Sequence, residues 1–226
     1  MIRIGIELNN VIRNVNKQIL KYYQKDIKPE LDIDDIDEKD NPFKYCAFNS
    51  PTEKSEFIYI DYPYEIFGCA KTMSKELPTL MNNWLSELTN YEEDDVEISF
   101  FSLNEESLTI QSSYFFLSKI GTRVRKIVFP REVSDLWDNY DVIITANPEV
   151  LNYFDKFGDG YTYIIRIANK VNEGCKSDKI YGSLDDVIRD KGLLKELQEF
   201  VDNKGADKAD EVGEIGEEEI KLIEEK

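Results

Sequence analysis

Between positions 96 and 200 the chain alternates short apolar runs of strand length with stretches of helix length, and nothing else constrains its fold as strongly. Val96 to Leu103, Val124 to Phe129, Asp141 to Ala146 and Tyr161 to Ile167 read as strands, and Ile180 to Tyr181 as a last short one. Between them Glu105 to Ile120, Val133 to Asn139 and Pro148 to Phe157 read as helices, and Ser183 to Phe200 as mostly helix. A run such as Val142-Ile143-Ile144 is apolar on both faces, as in a strand covered on both sides. Strand and helix in alternation predict α/β architecture, a parallel sheet with helices on both faces.

The N-terminal segment belongs to the same sheet. Arg3 to Glu7 reads as a buried strand, and Val11 to Gln24 as a helix carrying Val11, Val15, Ile19 and Leu20 on one face, capped by Asn9 or Asn10. Residues 26–63 are acidic and broken by Pro29, Pro42, Pro51 and Pro63. Glu56 to Asp61 suggests a short strand, Ile66 to Cys69 the start of a helical patch, and Leu77 to Leu88 an amphipathic helix with Leu77, Leu80, Met81, Trp84, Leu85 and Leu88 on its apolar stripe. The expected organisation is a core of 1–24 and 95–202, a cap-like insertion over 25–94, and an acidic tail over 203–226.

Composition removes several chemistries. The chain of 226 residues has no histidine and a formal net charge of -18. The first fact excludes Ser-His-Asp, Cys-His and His-metal sites. The second argues against nucleic acid or an anionic membrane as partner. Cys46, Cys69 and Cys175 are widely spaced, which fits a reduced, intracellular chain with thiols as packing. No signal peptide precedes the first strand and no apolar run reaches ~18 residues, so no membrane span is expected.

The order of elements over residues 1–200, with the motifs at the strand ends, resembles the haloacid dehalogenase-like superfamily, in particular its deoxyribonucleotidase-type phosphatases. Ile4-Gly5-Ile6-Glu7-Leu8-Asn9 matches the nucleophile loop in shape, Ile98 to Ser102 the strand ending in a phosphoryl-binding hydroxyl, Ile127 to Glu132 the strand whose loop supplies a Lys, and Asp141 to Pro148 the strand ending in metal-binding acids. Ile164 to Asn169 and Ile180 to Ile188 resemble the closing strand, loop and helix. The resemblance implies an Asp nucleophile, a second Asp as acid and base, Mg²⁺ and a Lys.

At those positions this chain has Glu7, Asn9, Arg131 and the pair Thr145 and Ala146; only Ser102 keeps the family's residue type. Asn9 cannot transfer a proton at neutral pH, Thr145 and Ala146 bring no charge to a metal, and Arg131 is no simple replacement for Lys. These coordinated losses predict a catalytically inactive domain without a cofactor or a metal site. Glu7 is then expected to cap a helix N-terminus or to pair with Arg13, Arg131 or Arg166. Two alternatives stay open: a residual Mg²⁺-dependent nucleotidase or phosphatase using Glu7, and a domain that senses a nucleotide or phosphate at Ser102 and Asn104 without turnover.

Other features point to protein partners. The run from Phe57 to Phe67 is rich in Tyr and Phe, which suits either the core of the insertion or an interface. Ile215, Ile220, Leu222 and Ile223 give the tail apolar surface for docking on another chain. Asp32 to Asp40 reads as a solvated acidic loop, since it lacks the Gly and closing Glu of a Ca²⁺ loop. Arg123, Arg125, Lys126 and Arg131 form a basic patch at a strand start. The expected role is a structural or interaction module, and the Ile-, Asn-, Lys-, Asp- and Tyr-rich composition suggests a bacteriophage particle or its assembly as a setting.

Overall fold

The computed structural model describes residues 1–89, 96–158 and 160–203. The tail beyond Asn203, with its expected docking residues, lies outside them. The described residues form a six-stranded parallel sheet of order β3-β2-β1-β4-β5-β6. Its strands are β1 (Ile2–Glu7), β2 (Val96–Phe101), β3 (Ile127–Val128), β4 (Val142–Thr145), β5 (Tyr163–Ile167) and β6 (Lys179–Tyr181). The helices are α1 (Val15–Asp26), α2 (Pro51–Glu56), α3 (Leu77–Thr89), α4 (Ser107–Ile120), α5 (Asp135–Asn139), α6 (Pro148–Phe157), α7 (Leu184–Arg189) and α8 over 193–203. This is the α/β architecture that the alternation predicts.

Each sheet face has its own apolar layer. Ile2, Ile4, Ile6, Phe100, Ile144 and Ile165 point to one side, where Leu77 and Met81 of α3, Phe116 of α4 and Leu184 of α7 cover them. Phe101, Ile143 and Ile164 point to the other, against Leu136, Tyr140, Val150 and Leu151. A third core lies in the insertion, where Phe57, Ile58, Ile66 and Phe67 pack on Val15, Ile19 and Tyr23 of α1. Helix α3 falls within the 25–94 span, yet it packs with the sheet and not with this third core.

Four local readings change. The first helix starts at Val15, not Val11, and its cap is Asn14, whose side chain accepts from Lys17 N. Residues 12–14 leave the helical path because their backbone pairs with the 71–73 segment: Met73 N donates to Ile12 O at 2.9 Å and Asn14 N to Lys71 O at 2.8 Å. Phe57–Asp61 is a wide helical turn, closed by Tyr62 N donating to Phe57 O at 3.2 Å, and not a strand. The described residues of the insertion offer it no strand to pair with, so its backbone groups bond locally.

The third strand shrinks to Ile127–Val128, because the charged residues Arg123, Arg125 and Lys126 precede it at the sheet edge. The last helix breaks at Asp190, whose carboxylate accepts from Gly192 N, Lys179 and Tyr181. The acidic loop is anchored as well as charged. Asp40 accepts from Lys44 and Tyr45, and these bonds hold its carboxyl well below the usual carboxylate range. Lys170 from the core side pairs with Asp37 and Asp40.

Candidate functional site

Strands β1 to β3 run to one side of the sheet and β4 to β6 to the other. The order reverses between β1 and β4, and the carboxyl ends of such neighbours open a crevice where α/β proteins hold ligands. Glu7 ends β1 and Thr145 ends β4, so the topology alone brings these two together.

Glu7 is buried, at 2% exposure. Thr145 Oγ1 donates to its Oε2 at 2.5 Å, and Ala146 N donates to the same atom at 3.2 Å. Asn147 N donates to Thr145 Oγ1 at 3.0 Å, so the hydroxyl donates a hydrogen bond to Glu7 while accepting one from the backbone. Burial raises the Glu7 carboxyl to about 7, against the opposing pull of the donors from Thr145, Ala146 and Asn147. The side chain thus bonds the turn that leads into α6. None of Arg13, Arg131 or Arg166 hydrogen-bonds to it.

A second cluster fills the corner beside it. Asn9 Nδ2 donates to Ser102 Oγ at 3.0 Å, and Asn9 Oδ1 accepts from Arg13 Nε at 2.7 Å. The Arg13 guanidinium also donates to Ser113 Oγ at 2.6 Å, to Phe67 O at 3.4 Å and to Ser102 Oγ at 3.5 Å. It forms an ion pair with Glu105, which also accepts from Ser113 Oγ at 2.6 Å. The rings of Phe67 and Phe116 lie 4.9 and 5.8 Å from the guanidinium carbon. Burial pushes the Arg13 guanidinium down, and Glu105 opposes that shift. Glu105 and Ser113 escape a motif-based reading. The signal for Arg13 was a cation within an apolar stretch, Val11, Ile12 and Val15, because a buried charge demands a partner.

The expected positions separate accordingly. Glu7, Asn9, Ser102, Thr145 and Ala146 converge at the β1–β4 and β1–β2 ends, with Ser102 fully buried and bonded. Asn104 is exposed on the rim of the cleft above them. Arg131 is exposed and lies along a different groove, with Pro148 and Tyr153. Asn172, unmarked by any motif, donates to Ala146 O at 3.0 Å and Ile167 O at 2.9 Å and fixes the β4 end.

Above the strand ends, the insertion roofs a cleft of about 520 Å³. Phe43, Ile58 and Tyr59 face it from the insertion, and Glu7, Asn104, Ala146 and Asn147 from the sheet. Among the described residues, no three His, Cys, Asp or Glu side chains are placed to hold a metal ion.

A parallel sheet of this order, with its crevice at the β1–β4 switch and an insertion after β1, is the haloacid dehalogenase-like fold, a Rossmann-like α/β architecture. The structure is similar to one described as a haloacid dehalogenase-like hydrolase from Burkholderia xenovorans LB400, with a TM-score of 0.50, 8% identity, and coverage of 84% of this chain and 96% of that one. No protein-family model and no curated protein matches the sequence. At 8% identity the likeness establishes the fold, and the chemistry has to come from the residues themselves.

Proposed function

We propose that this chain is a haloacid dehalogenase-like domain that has lost phosphoryl transfer and serves as a structural or protein-interaction module. The observation that carries the reading is the buried Arg13–Glu105 pair with its bonds to Asn9 and Ser102. Ser102 and Asn9 hold the places of the phosphoryl-binding hydroxyl and the acid/base, and both are engaged by Arg13. A dianionic phosphoryl group entering there would have to displace Glu105 from Arg13 and desolvate beside Glu7.

The donor set does not suit Mg²⁺, which wants a near-octahedral shell of oxygens with one or two carboxylates. Among the described residues, Glu7 is the one carboxylate at the β1–β4 ends, its Oε2 accepts from Thr145 and Ala146, and Thr145 and Ala146 supply no acid.

The interaction role rests on surface chemistry. Phe57 and Phe67 of the aromatic segment are core, but Ile60 is 64% and Tyr64 46% exposed. Tyr64 lies against Phe115, itself 43% exposed, and Leu108 lies beside them. An apolar surface of this kind on a chain of charge -18 suits a protein partner and not nucleic acid. Docking through the 203–226 tail, a cytoplasmic location and a bacteriophage assembly setting are parts of the same proposal.

The test combines two measurements. Purified chain with Mg²⁺ and p-nitrophenyl phosphate should release no phosphate above buffer, and co-purification from its native host should recover partner chains that are lost on deleting 204–226 or on Tyr64→Ser with Phe115→Ser. Phosphate release abolished by Glu7→Gln would overturn the reading and restore a residual phosphatase.

A further inference from the structure

We propose that the cleft between the insertion and the sheet binds an uncharged, polyhydroxylated ring, either a free sugar or the sugar of a nucleoside. The inference rests on the reading that the site no longer transfers phosphoryl groups.

Charge excludes the obvious alternative. Lys54 is the one cation among the described residues lining the cleft, which Glu7 and Glu149 also line, and its Nζ sits 3.5 Å over the Phe43 ring. Arg13, which bonds the cleft-lining Asn9, is committed to Glu105. A phosphate ester would therefore enter a cleft with two carboxyls and a single lysine, on a chain of net charge -18. Many phosphate sites on proteins supply paired cations or bidentate arginine, and this cleft supplies neither.

What the cleft offers is amides. Asn10, Asn41, Asn104 and Asn147 all line it. An amide both donates and accepts, which matches hydroxyl groups that do the same. Asn10 and Asn41 hold their Oδ1 atoms on the backbone N–H groups of Asn16 and Phe43, at 3.1 and 3.0 Å, leaving each amide nitrogen as an oriented donor. Among the described residues, no hydrogen bond engages the Asn104 side chain.

The backbone adds an independent observation. Asn10 and Asn104 are the non-glycine residues with positive φ among the described residues, at 59° and 57°, and both line this cleft. Asparagine is among the few non-glycine residues that enter this region readily, and at both positions it turns the chain at the cleft wall. Phe43 and Tyr59 line the same cleft and add aromatic surface for the apolar face of a ring. A volume of about 520 Å³ falls in the range of small-molecule sites.

The experiment uses the full chain and two matched pairs of probes, adenosine with adenosine 5′-monophosphate and glucose with glucose 6-phosphate, followed by saturation-transfer NMR and titration to about 20 mM. In at least one pair the uncharged member should bind, and about tenfold or more tightly than its phosphorylated counterpart. Binding of adenosine alone identifies a nucleoside, and binding of glucose a free sugar. Asn104→Gly keeps the left-handed backbone and removes only the amide. It should weaken the uncharged probe by about fivefold without lowering the melting temperature. Equal or tighter binding of the phosphorylated member in both pairs, or no binding by any probe, overturns the inference. Phosphate release from either ester would overturn the loss of catalysis instead, and the ranking within each pair would still decide the ligand class.

Discussion

Arg13 and Glu105, 92 residues apart in sequence, form an ion pair whose side chains are 0% and 1% exposed. The pair joins the loop after β1 to the start of α4, and its hydrogen bonds extend to Asn9, Ser102 and Ser113. Removing one member leaves an uncompensated buried charge, which costs about 3–5 kcal/mol. Glu105→Gln and Arg13→Met should each lower the urea midpoint by that order. The double variant should recover a large part of the loss, because no lone charge remains. Strictly additive losses in the double-mutant cycle would show that the two side chains are not coupled.

Glu7 makes stability depend on pH with a definite sign. Its folded value, about 7, lies above the ordinary 4.5, so the folded state keeps a proton that the unfolded chain releases. The contribution is complete below about pH 4.5 and is lost as pH rises through about 7, an order of 3 kcal/mol in all. Glu7→Gln removes the titration. Its melting temperature should exceed that of the natural chain at pH 8, and the difference should shrink at pH 5. A constant difference across that range would place the Glu7 titration near its ordinary value.

Gly5 is a packing requirement. A Cβ built there would come within 2.7 Å of the Tyr140 ring, which is 2% exposed and whose hydroxyl accepts from Ser99 Oγ at 3.0 Å. The ring has little room to retreat. Gly5→Ala should cost about 1–3 kcal/mol by overpacking, read as a lower urea midpoint with an unchanged slope. Tyr140→Leu in the same background should relieve part of that cost.

Restoring the two acids of the nucleophile loop should not restore chemistry. Glu7→Asp with Asn9→Asp supplies a nucleophile and an acid, but Arg13 and Glu105 still fill the corner, and Thr145 and Ala146 still bring no acid to a metal. Assay with Mg²⁺ and p-nitrophenyl phosphate should give no turnover. Measurable release would mean that the loop identity alone had silenced the site.

The positions where the motifs depart from the family were legible in the sequence, because Glu7, Asn9, Thr145 and Ala146 each end or closely follow a strand that its own apolar run defines. The corner they share was less so. Nothing near Arg13 in sequence announces Glu105, and a pairing across 92 residues depends on where β1 and β2 lie in the sheet. The start of α1 shows the same limit. Val11 and Ile12 fit a helical stripe, yet bonds to Lys71 and Met73 hold that stretch outside the helix.

By itself the sequence determined the alternation of strand and helix, the parallel α/β class and the residues that stand at the strand ends. These follow from side-chain periodicity within a few residues, a local property. Tertiary structure alone decided that Arg13 is spent on Glu105, that Glu7 bonds Thr145 and the turn before α6, and that asparagines line the cleft between the insertion and the sheet. Those contacts join distant segments, and which partner a buried polar group finds depends on how the elements pack together and not on the residues beside it.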